Sequence, residues 1–472
     1  MVNDFVRNLQ FAALAGFLVF SSPAPLAAQS AQELYDQAQE IYRGRADETA
    51  LPTALALFQR AAEGGKSASY QRIGVIQLEL GNYSEAISAL ETAIDRGSQT
   101  AIVTLAQNHA TGGFGPLSDP SKGMPVLEEQ AQLTTGERAA YALATLLWAG
   151  DGVAMDQARA ISIYSNLADR GNARALRTMG RLNLSGNNPE LAPKDLTRAI
   201  ALLQEAVNQG SANALRDLGV AHIETGNYED AQLAYSTAVQ LEVSGAAADL
   251  ANAHFRSLLG PVSDPAKGRA ELKRLAEMGD VGAARHALRH YERRSRRITE
   301  LDLDLVVANL WQATEAGNGS AARVLARYYR NLSWMMTDER EQVARLVRDH
   351  GDILGARSLA AETVSVLYDR NDHRASQARV TDYLDNLSGP GYTQALLRLR
   401  SIEIQAYLRV LQTSLRDLGY YDGRISGLAS GRTIEAIRRF CQDEGIDETC
   451  KHGPVAFQSS RLIAEALEEK RG

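Results

Sequence analysis

A glycine placed to end a helix returns down this chain at a nearly fixed interval. Gly64, Gly97, Gly136, Gly171, Gly210, Gly245, Gly279, Gly317, Gly351 and Gly389 follow one another at steps of 33 to 39 residues. Most stand behind an Ala- and Leu-rich stretch of helical period, as in LFQRAAEG, IYSNLADRG and LLQEAVNQG. Glycine ends such helices because it enters left-handed backbone without a Cβ penalty. A unit this short cannot bury its apolar face alone, so repeating it commits the chain to stacking neighbours. The expected fold is all-α: an α-solenoid of about ten helix pairs over residues 29–400, with a small three-helix domain over 401–472. If straight, such a stack would form a rod on the order of 100 Å long.

The first residues read as an export signal. Arg7 precedes an apolar run from Phe11 to Phe20, the breakers Ser21, Ser22, Pro23 and Pro25 follow, and Leu26-Ala27-Ala28 offers a cleavage site. A run of that length is too short for a membrane helix and suits a signal-peptide core. Residues 1–28 are therefore expected to be removed, leaving a mature protein in the periplasm; an amphipathic N-terminal helix is the competing reading. No later segment reads as a membrane span. The formal charge of −7 excludes a protein dedicated to nucleic acid, while leaving room for local basic zones.

One unit reads from Ala142 to Leu182. Gly150-Asp151-Gly152-Val153 makes the turn inside the pair, Arg159-Ala160 begins the second helix, and Gly171-Asn172-Ala173 passes the chain on. This pattern resembles the Sel1-like repeat. Other units, with Leu218-Gly219 and Gly226-Asn227-Tyr228 or Gly81-Asn82-Tyr83-Ser84-Glu85-Ala86, are similar to tetratricopeptide repeats. The resemblance implies a binding scaffold and specifies no chemistry. Four residues past the unit glycine stand Ala175, Ala214, Ala283, Ala321 and Gly355, small enough for helices of adjacent units to approach. Two connectors, Gly115 to Gly123 and Gly260 to Gly268, are near-duplicates, and each sets a capping Asp before a first-turn Pro: Asp119-Pro120 and Asp264-Pro265.

Six residues past the unit glycine stand Arg177, Arg216, Arg285, Arg323 and Arg357. Stacking would align them as a column, and Arg289, Arg293, Arg294, Arg296, Arg297, Arg327 and Arg330 thicken the basic zone around it. An arginine fork grips carboxylate or phosphate in bidentate fashion, so Arg177, Arg216, Arg285, Arg289, Arg323, Arg327 and Arg357 are candidate contacts for an anionic partner. The competing reading is an ordinary helix face, with arginine stems packed on apolar neighbours and charges neutralised by nearby Glu and Asp.

Nothing in the chain reads as catalysis. His286 and His290 lie one helical turn apart, but Ala287 stands where a zinc protease would need Glu. No nucleophile elbow, phosphate loop or dinucleotide fingerprint is visible. No enzyme, cofactor or metal is expected.

After about Ser401 the repeat rhythm stops. Leu408, Leu411, Leu415 and Leu418 form one apolar stripe, Thr433 opens a second helix with Ile434, Ile437 and Phe440 turned inward, and a third runs from about Ser459 to Glu469. Leu411-Gln412, Leu415, Leu418-Gly419-Tyr420-Tyr421-Asp422-Gly423, Gly427, Thr433, Ala436-Ile437 and Phe440 resemble the small peptidoglycan-binding domain attached to cell-wall enzymes. The resemblance implies a wall-binding surface at Tyr420, Tyr421 and Asp422; the alternative is that the tyrosines pack the turn. Cys441 sits where such domains have Gln, and Lys451-His452-Gly453-Pro454 replaces their second Asp-Gly turn. Cys441 and Cys450 are the only cysteines. In an exported chain they would close a small disulfide loop; free thiols, or a zinc site with His452, are the other readings.

The expected function is thus a non-enzymatic periplasmic scaffold that binds envelope proteins and docks on peptidoglycan. Similarity to the helix-repeat scaffolds of alginate-type exopolysaccharide export implies an acidic polysaccharide as a further partner, although this chain lacks their lipidation cysteine and adds the C-terminal domain. A regulator holding a sensor or protease in check, or an accessory subunit of a cell-wall hydrolase, is the alternative.

Overall fold

The computed structural model describes residues 29–44, 49–150, 152–292, 298, 300–332, 337–369, 372–387 and 391–471. The export-signal segment 1–28, Asp151, Gly389, Arg293, Arg294, Arg296 and Arg297 lie outside the described residues, as does the side chain of His290.

Among the described residues every regular element is a helix, and Asn188 with Ala192 makes one isolated bridge. Ten pairs follow one another, from Ala31–Gly44 with Ala50–Glu63 through Ala173–Ser185 with Leu196–Asn208 and Ala214–Glu224 with Tyr228–Gln240 to Ala356–Leu367 with His373–Asn386. The fold is an all-α solenoid of paired helices. Small residues set the spacing: Ala175, Ala214, Ala283 and Ala321 are fully buried where first helices of successive pairs meet. Gly180 and Gly219 do the same within a pair, since a Cβ on either would lie within about 2.7 Å of Leu203 or Tyr235.

The unit glycines do not all work as expected. Gly97, Gly171, Gly210, Gly279 and Gly317 take positive φ behind their helices, and beside Gly64 it is Gly65 that does so. Gly136 and Gly245 instead precede the next helix, so the N-cap rather than the C-cap demands them. Gly351 lies inside Thr337–Leu354, which breaks at His350, and Gly355 supplies the left-handed turn four residues late. That displaces Gly355 from the buried small-residue row, where it is exposed.

A longer period underlies the short one. Shifted by 145 residues, Gly65, Gly74, Gly81-Asn82-Tyr83, His109 and the connector Gly115–Gly123 fall on Gly210, Gly219, Gly226-Asn227-Tyr228, His254 and Gly260–Gly268. The structural details match as well. The backbone N–H of Asp119 donates to His109 Nδ1 at 3.1 Å, and that of Asp264 to His254 Nδ1 at 3.1 Å. Burial lowers the pKa of both imidazoles, and neutrality leaves Nδ1 free to accept. Two non-glycine residues with positive φ, Glu242 and Ser257, stand where the first copy has Gly97 and Gly112 in the same conformation. The central array is therefore a doubled multi-pair block, not a run of independent units.

The array is not a straight rod. The Arg357 guanidinium donates to the carbonyl of Ala149 at 3.3 Å, across more than two hundred residues of chain, so the superhelix coils back on itself.

The boundary drawn at residue 400 falls within the helix Tyr392–Ile402, and Glu403 alone separates it from Ile404–Asp417. One apolar core, including Val364, Leu384, Tyr392, Leu399, Tyr407, Leu411, Phe440, Ile463 and Leu467, runs through the last units and the C-terminal helices. Those helices are Ile404–Asp417, Gly431–Asp443, the single turn Asp447–Cys450 and Phe457–Glu469. Phe457–Glu469 returns onto Tyr392–Ile402: Glu468 accepts from the Thr393 N–H at 3.1 Å, and the Arg471 guanidinium lies 4.5 Å from the centre of the Tyr392 ring. Two inward assignments fail. Leu418 and Ile434 are exposed, because the chain turns at Gly419 and because Thr433, fully buried, takes the inward place on its helix.

Candidate functional site

The arginine column divides into two halves with different chemistry. In the first half each fork reaches an aspartate of the next first helix. Arg177 Nε donates to Asp217 Oδ2 at 2.5 Å, with Arg181 3.8 Å from the other oxygen. Arg216 Nε donates to Asp249 Oδ2 at 2.7 Å and its Nη1 to the Ser244 carbonyl at 2.8 Å. His286 Nε2 adds a contact to Asp249 at 3.3 Å. Burial works to raise the Asp249 pKa, but the bond from His286 and the charge of Arg216 hold it below the ordinary carboxylate value. These arginines are half-buried and spent within the protein.

In the first half the facing carboxylates stand on the next first helix, Asp217 opposite Arg177 and Asp249 opposite Arg216. Asp217 follows Arg216 and meets Arg177; His286 follows Arg285 and reaches back to Asp249. In the second half Val324 follows Arg323 and Ser358 follows Arg357. Neither can form an ion pair. Among the described residues no ion pair joins Arg285, Arg323, Arg327 or Arg357 to a carboxylate, and all four are exposed. Arg323 makes only neutral contacts, to Ser320 Oγ at 3.0 Å and the Ile353 carbonyl at 3.4 Å.

These four line one groove of about 820 Å³, together with Arg216 and Arg330. The first helices that carry the arginines begin beside lining residues, at Val281, next to Asn318 and next to Arg357, so their positive dipole ends add to the field. Six arginines stand in the lining against two acids, Asp280 and Glu362. Asp280 is occupied in capping, accepting from the Ala283 N–H at 2.7 Å. Glu362, 2% exposed, accepts from Arg330 Nη1 at 2.5 Å. Burial pushes its carboxyl up, against the pull of Arg330 and Arg398. Glu362 thereby fixes Arg330 as part of the floor. A second hollow at the other end of the array, lined by Asp36, Glu40, Arg43 and Arg72, has balanced charge and no such preference.

Of the sequence-stated contacts, the groove gathers Arg216, Arg285, Arg323, Arg327 and Arg357, and leaves Arg177 outside. Arg289 sits one turn beyond Arg285 on Val281–Glu292 and is not in the lining. Val324, Ser358 and Glu362 were not foreseen.

In the C-terminal helices the tyrosines are committed to packing. Tyr421 is buried and donates to the Arg424 carbonyl at 2.8 Å. Tyr420 donates to Asp443 Oδ2 at 2.8 Å and sets its ring edge-on to Phe440 at 5.4 Å. Asp422 alone of the three is exposed. Beneath them Gln412, fully buried, organises the loop: its Oε1 accepts from the N–H groups of Ser426 and Gly427, both at 2.8 Å. Its Nε2 donates to the Leu428 carbonyl at 3.0 Å and to Thr433 Oγ1 at 2.9 Å. Cys441 and Cys450 are joined as a disulfide.

Among the described residues no three His, Cys, Asp or Glu side chains gather as metal ligands, and no helix is long and apolar enough to cross a membrane. The tetratricopeptide repeat model matches residues 67–96. Among curated proteins none matches the chain. Solved structures similar to it include a Sel1 repeat protein from Oxalobacter formigenes, at 21% identity and a TM-score of 0.38, covering 52% of this chain and 98% of that one. Another is c5321, a protective antigen of uropathogenic Escherichia coli with an SLR fold, at 16% identity and 0.34, covering 94% and 92%. A third is yeast Tom70, at 13% and 0.32, covering 93% and 95%. Superpositions this loose assign nothing to the chain, whose repeat architecture is read from its own packing.

Proposed function

We propose that this protein is a non-enzymatic scaffold that holds an anionic partner in the groove of Arg285, Arg323, Arg327 and Arg357. The observation that carries the reading is that, among the described residues, four exposed arginines of one groove are joined to no carboxylate by an ion pair. Four exposed guanidinium groups on successive stacked helices repel one another unless an outside anion joins them. The setting is the periplasm, following the export-signal pattern of residues 1–28, and the acidic exopolysaccharide of the resembled scaffolds is one source of the anion. Docking on the cell wall completes the proposal, with Asp422 as the surface contact.

Two measurements test this. Binding of the chain lacking residues 1–28 to a polyanion panel (poly-aspartate, polygalacturonate and dextran sulfate) should weaken steeply with salt. It should vanish in a variant carrying Arg285→Glu, Arg323→Glu and Arg357→Glu. Equal binding by that variant removes the groove from the proposal. Sedimentation with purified sacculi tests the wall contact: the protein should pellet, and Asp422→Ala should reduce the pelleted fraction. Protein that stays in the supernatant ends the wall-docking part alone.

A further inference from the structure

The helices Ile404–Asp417, Gly431–Asp443 and Phe457–Glu469 run in parallel, so their starts share one end of the C-terminal bundle. At the opposite end, where they finish, Tyr420 donates to Asp443 Oδ2 at 2.8 Å and Lys470 lies 2.9 Å from Glu444. At the starting end Tyr407 donates to the Pro454 carbonyl at 2.9 Å, and Arg400 Nε to that of Val455 at 2.8 Å. The loop before Gly431 closes in on the first of these helices from another side: a Cβ on Gly427 would stand 2.6 Å from the Gln405 carbonyl and 3.0 Å from Arg409 Cγ. Thr433 Oγ1 then donates to the Leu428 carbonyl at 3.0 Å. Ile404, Leu428, Val455 and Phe457 are thereby brought to one end of the bundle from three separate turns.

All four of these side chains are exposed, Phe457 at 63%, Leu428 at 56%, Ile404 at 50% and Val455 at 38%. Single exposed apolar residues are ordinary, whereas several gathered at one place mark a contact surface. Cations stand beside them. The Arg400 guanidinium lies 6.0 Å from the centre of the Phe457 ring, and Arg409 Nη1 donates to the Ile425 carbonyl at 3.5 Å. Arg432 is exposed in the first turn of Gly431–Asp443. Among the described residues no ion pair joins Arg400, Arg409 or Arg432 to a carboxylate. Acids of the same segments are already engaged. Glu403 accepts from the Gln405 N–H at 3.2 Å and lies 4.0 Å from His373, Glu435 meets Arg438 at 3.1 Å, and Glu448 meets Lys451. Three helix starts add positive potential to this end.

We infer that this end of the bundle is a peripheral membrane contact, in which the four apolar side chains enter the interface of a lipid layer and Arg400, Arg409 and Arg432 meet its anionic headgroups. Apolar tips flanked by uncompensated cations are the composition of an interfacial anchor, in which burial and charge attraction add. The tips stand on separate turns, so a fluid layer can close around each, whereas a rigid partner would need a matching hollow for each. Such a contact requires no spanning helix, and none is present among the described residues. It is independent of the arginine groove and of Asp422, which follows Tyr421 at the opposite end of the bundle.

The test is sedimentation of the chain lacking residues 1–28 with vesicles of equal parts phosphatidylglycerol and phosphatidylcholine, and with vesicles of phosphatidylcholine alone. Binding to the first is expected, falling as salt is raised, and binding to the second should be weaker by about fivefold or more. Phe457→Ser with Leu428→Ser should weaken binding to the anionic vesicles about tenfold or more, the loss of two apolar insertions. Melting of that variant should match wild type, since both side chains are exposed. Arg432→Glu should cost about fivefold. The groove variant with Arg285→Gln, Arg323→Gln and Arg357→Gln should bind vesicles as wild type at physiological salt, where distant charges are screened. Absence of binding to either vesicle overturns the inference. So does vesicle binding that the serine pair leaves unchanged, or that the groove variant alone abolishes. If the serine pair instead abolishes self-association, or pelleting with sacculi, in a protein that ignores vesicles, the surface belongs to a second copy or to the wall and the inference falls.

Discussion

Replacing Gln412 by leucine should loosen the C-terminal helices from within while leaving their surface intact. The side chain is fully buried and spans Ile404–Asp417 and the loop that precedes Gly431–Asp443. Leucine fills nearly the same volume and removes five hydrogen bonds. Two of them satisfy the backbone N–H groups of Ser426 and Gly427, which then have no acceptor; each orphaned buried donor costs about 1–3 kcal/mol. Burying the extra apolar surface of leucine returns about 1–2 kcal/mol. The net loss is about 3 kcal/mol, which raises the local opening constant by about two orders of magnitude. Hydrogen-exchange mass spectrometry of peptides spanning residues 405–440 reads this directly. Exchange should accelerate there and remain at wild-type rates in the units before Ala356–Leu367. Protection within threefold of wild type throughout would refute the idea that Gln412 holds the loop.

Three further outcomes follow from the packing. Because burial depresses the pKa of His109 and His254 in the folded state, the unfolded chain binds protons first as pH falls below the ordinary 6.5, and stability drops with it. A variant with His109→Gln and His254→Gln should show a shallower fall in melting temperature between pH 7 and 5; a parallel fall would show that neither imidazole is linked to folding. Gly268→Ala should destabilise by about 1–3 kcal/mol in urea unfolding, since its Cβ would stand 2.3 Å from the Phe255 nitrogen, whereas Gly210→Ala meets no neighbouring atom and is opposed by its positive φ alone. Removing the disulfide with Cys441→Ser and Cys450→Ser, which span nine positions, should cost about 2–3 kcal/mol in the C-terminal core, seen as a lowered melting transition.

The repeat architecture was legible because it depends on spacing. Small residues at Ala175, Ala214, Ala283 and Ala321 and turn glycines such as Gly171 and Gly317 are demanded locally, and the sequence states them openly. The curvature was not legible. The approach of Arg357 to Ala149 depends on small rotations accumulated over many units, which no single residue encodes. The arginine column was visible as a column, but its division into a neutralised and an open half was not, because that depends on which residue of the next helix faces each fork. Asp217 and Asp249 neutralise the first half, which there bears the reading of an ordinary ion-paired helix face. The C-terminal tyrosines stayed open between binding and packing for a related reason. Aromatic residues beside Asp-Gly read as a binding turn, whereas Tyr421 is needed to bridge that turn to Arg424 and Tyr420 to cover Phe440.

The core shared by Tyr392–Ile402 and Phe457–Glu469 has a consequence for how such a molecule can lengthen. A stack of hairpins leaves a raw greasy edge at its tip, open to another hairpin or to a stray copy of itself. Here the chain's own tail plugs that edge, with Arg471 pinned to the carbonyls of Leu384 and Asp385. A further hairpin could stack on that edge only by dislodging Phe457–Glu469, so the helix that completes the core also closes this face of the stack.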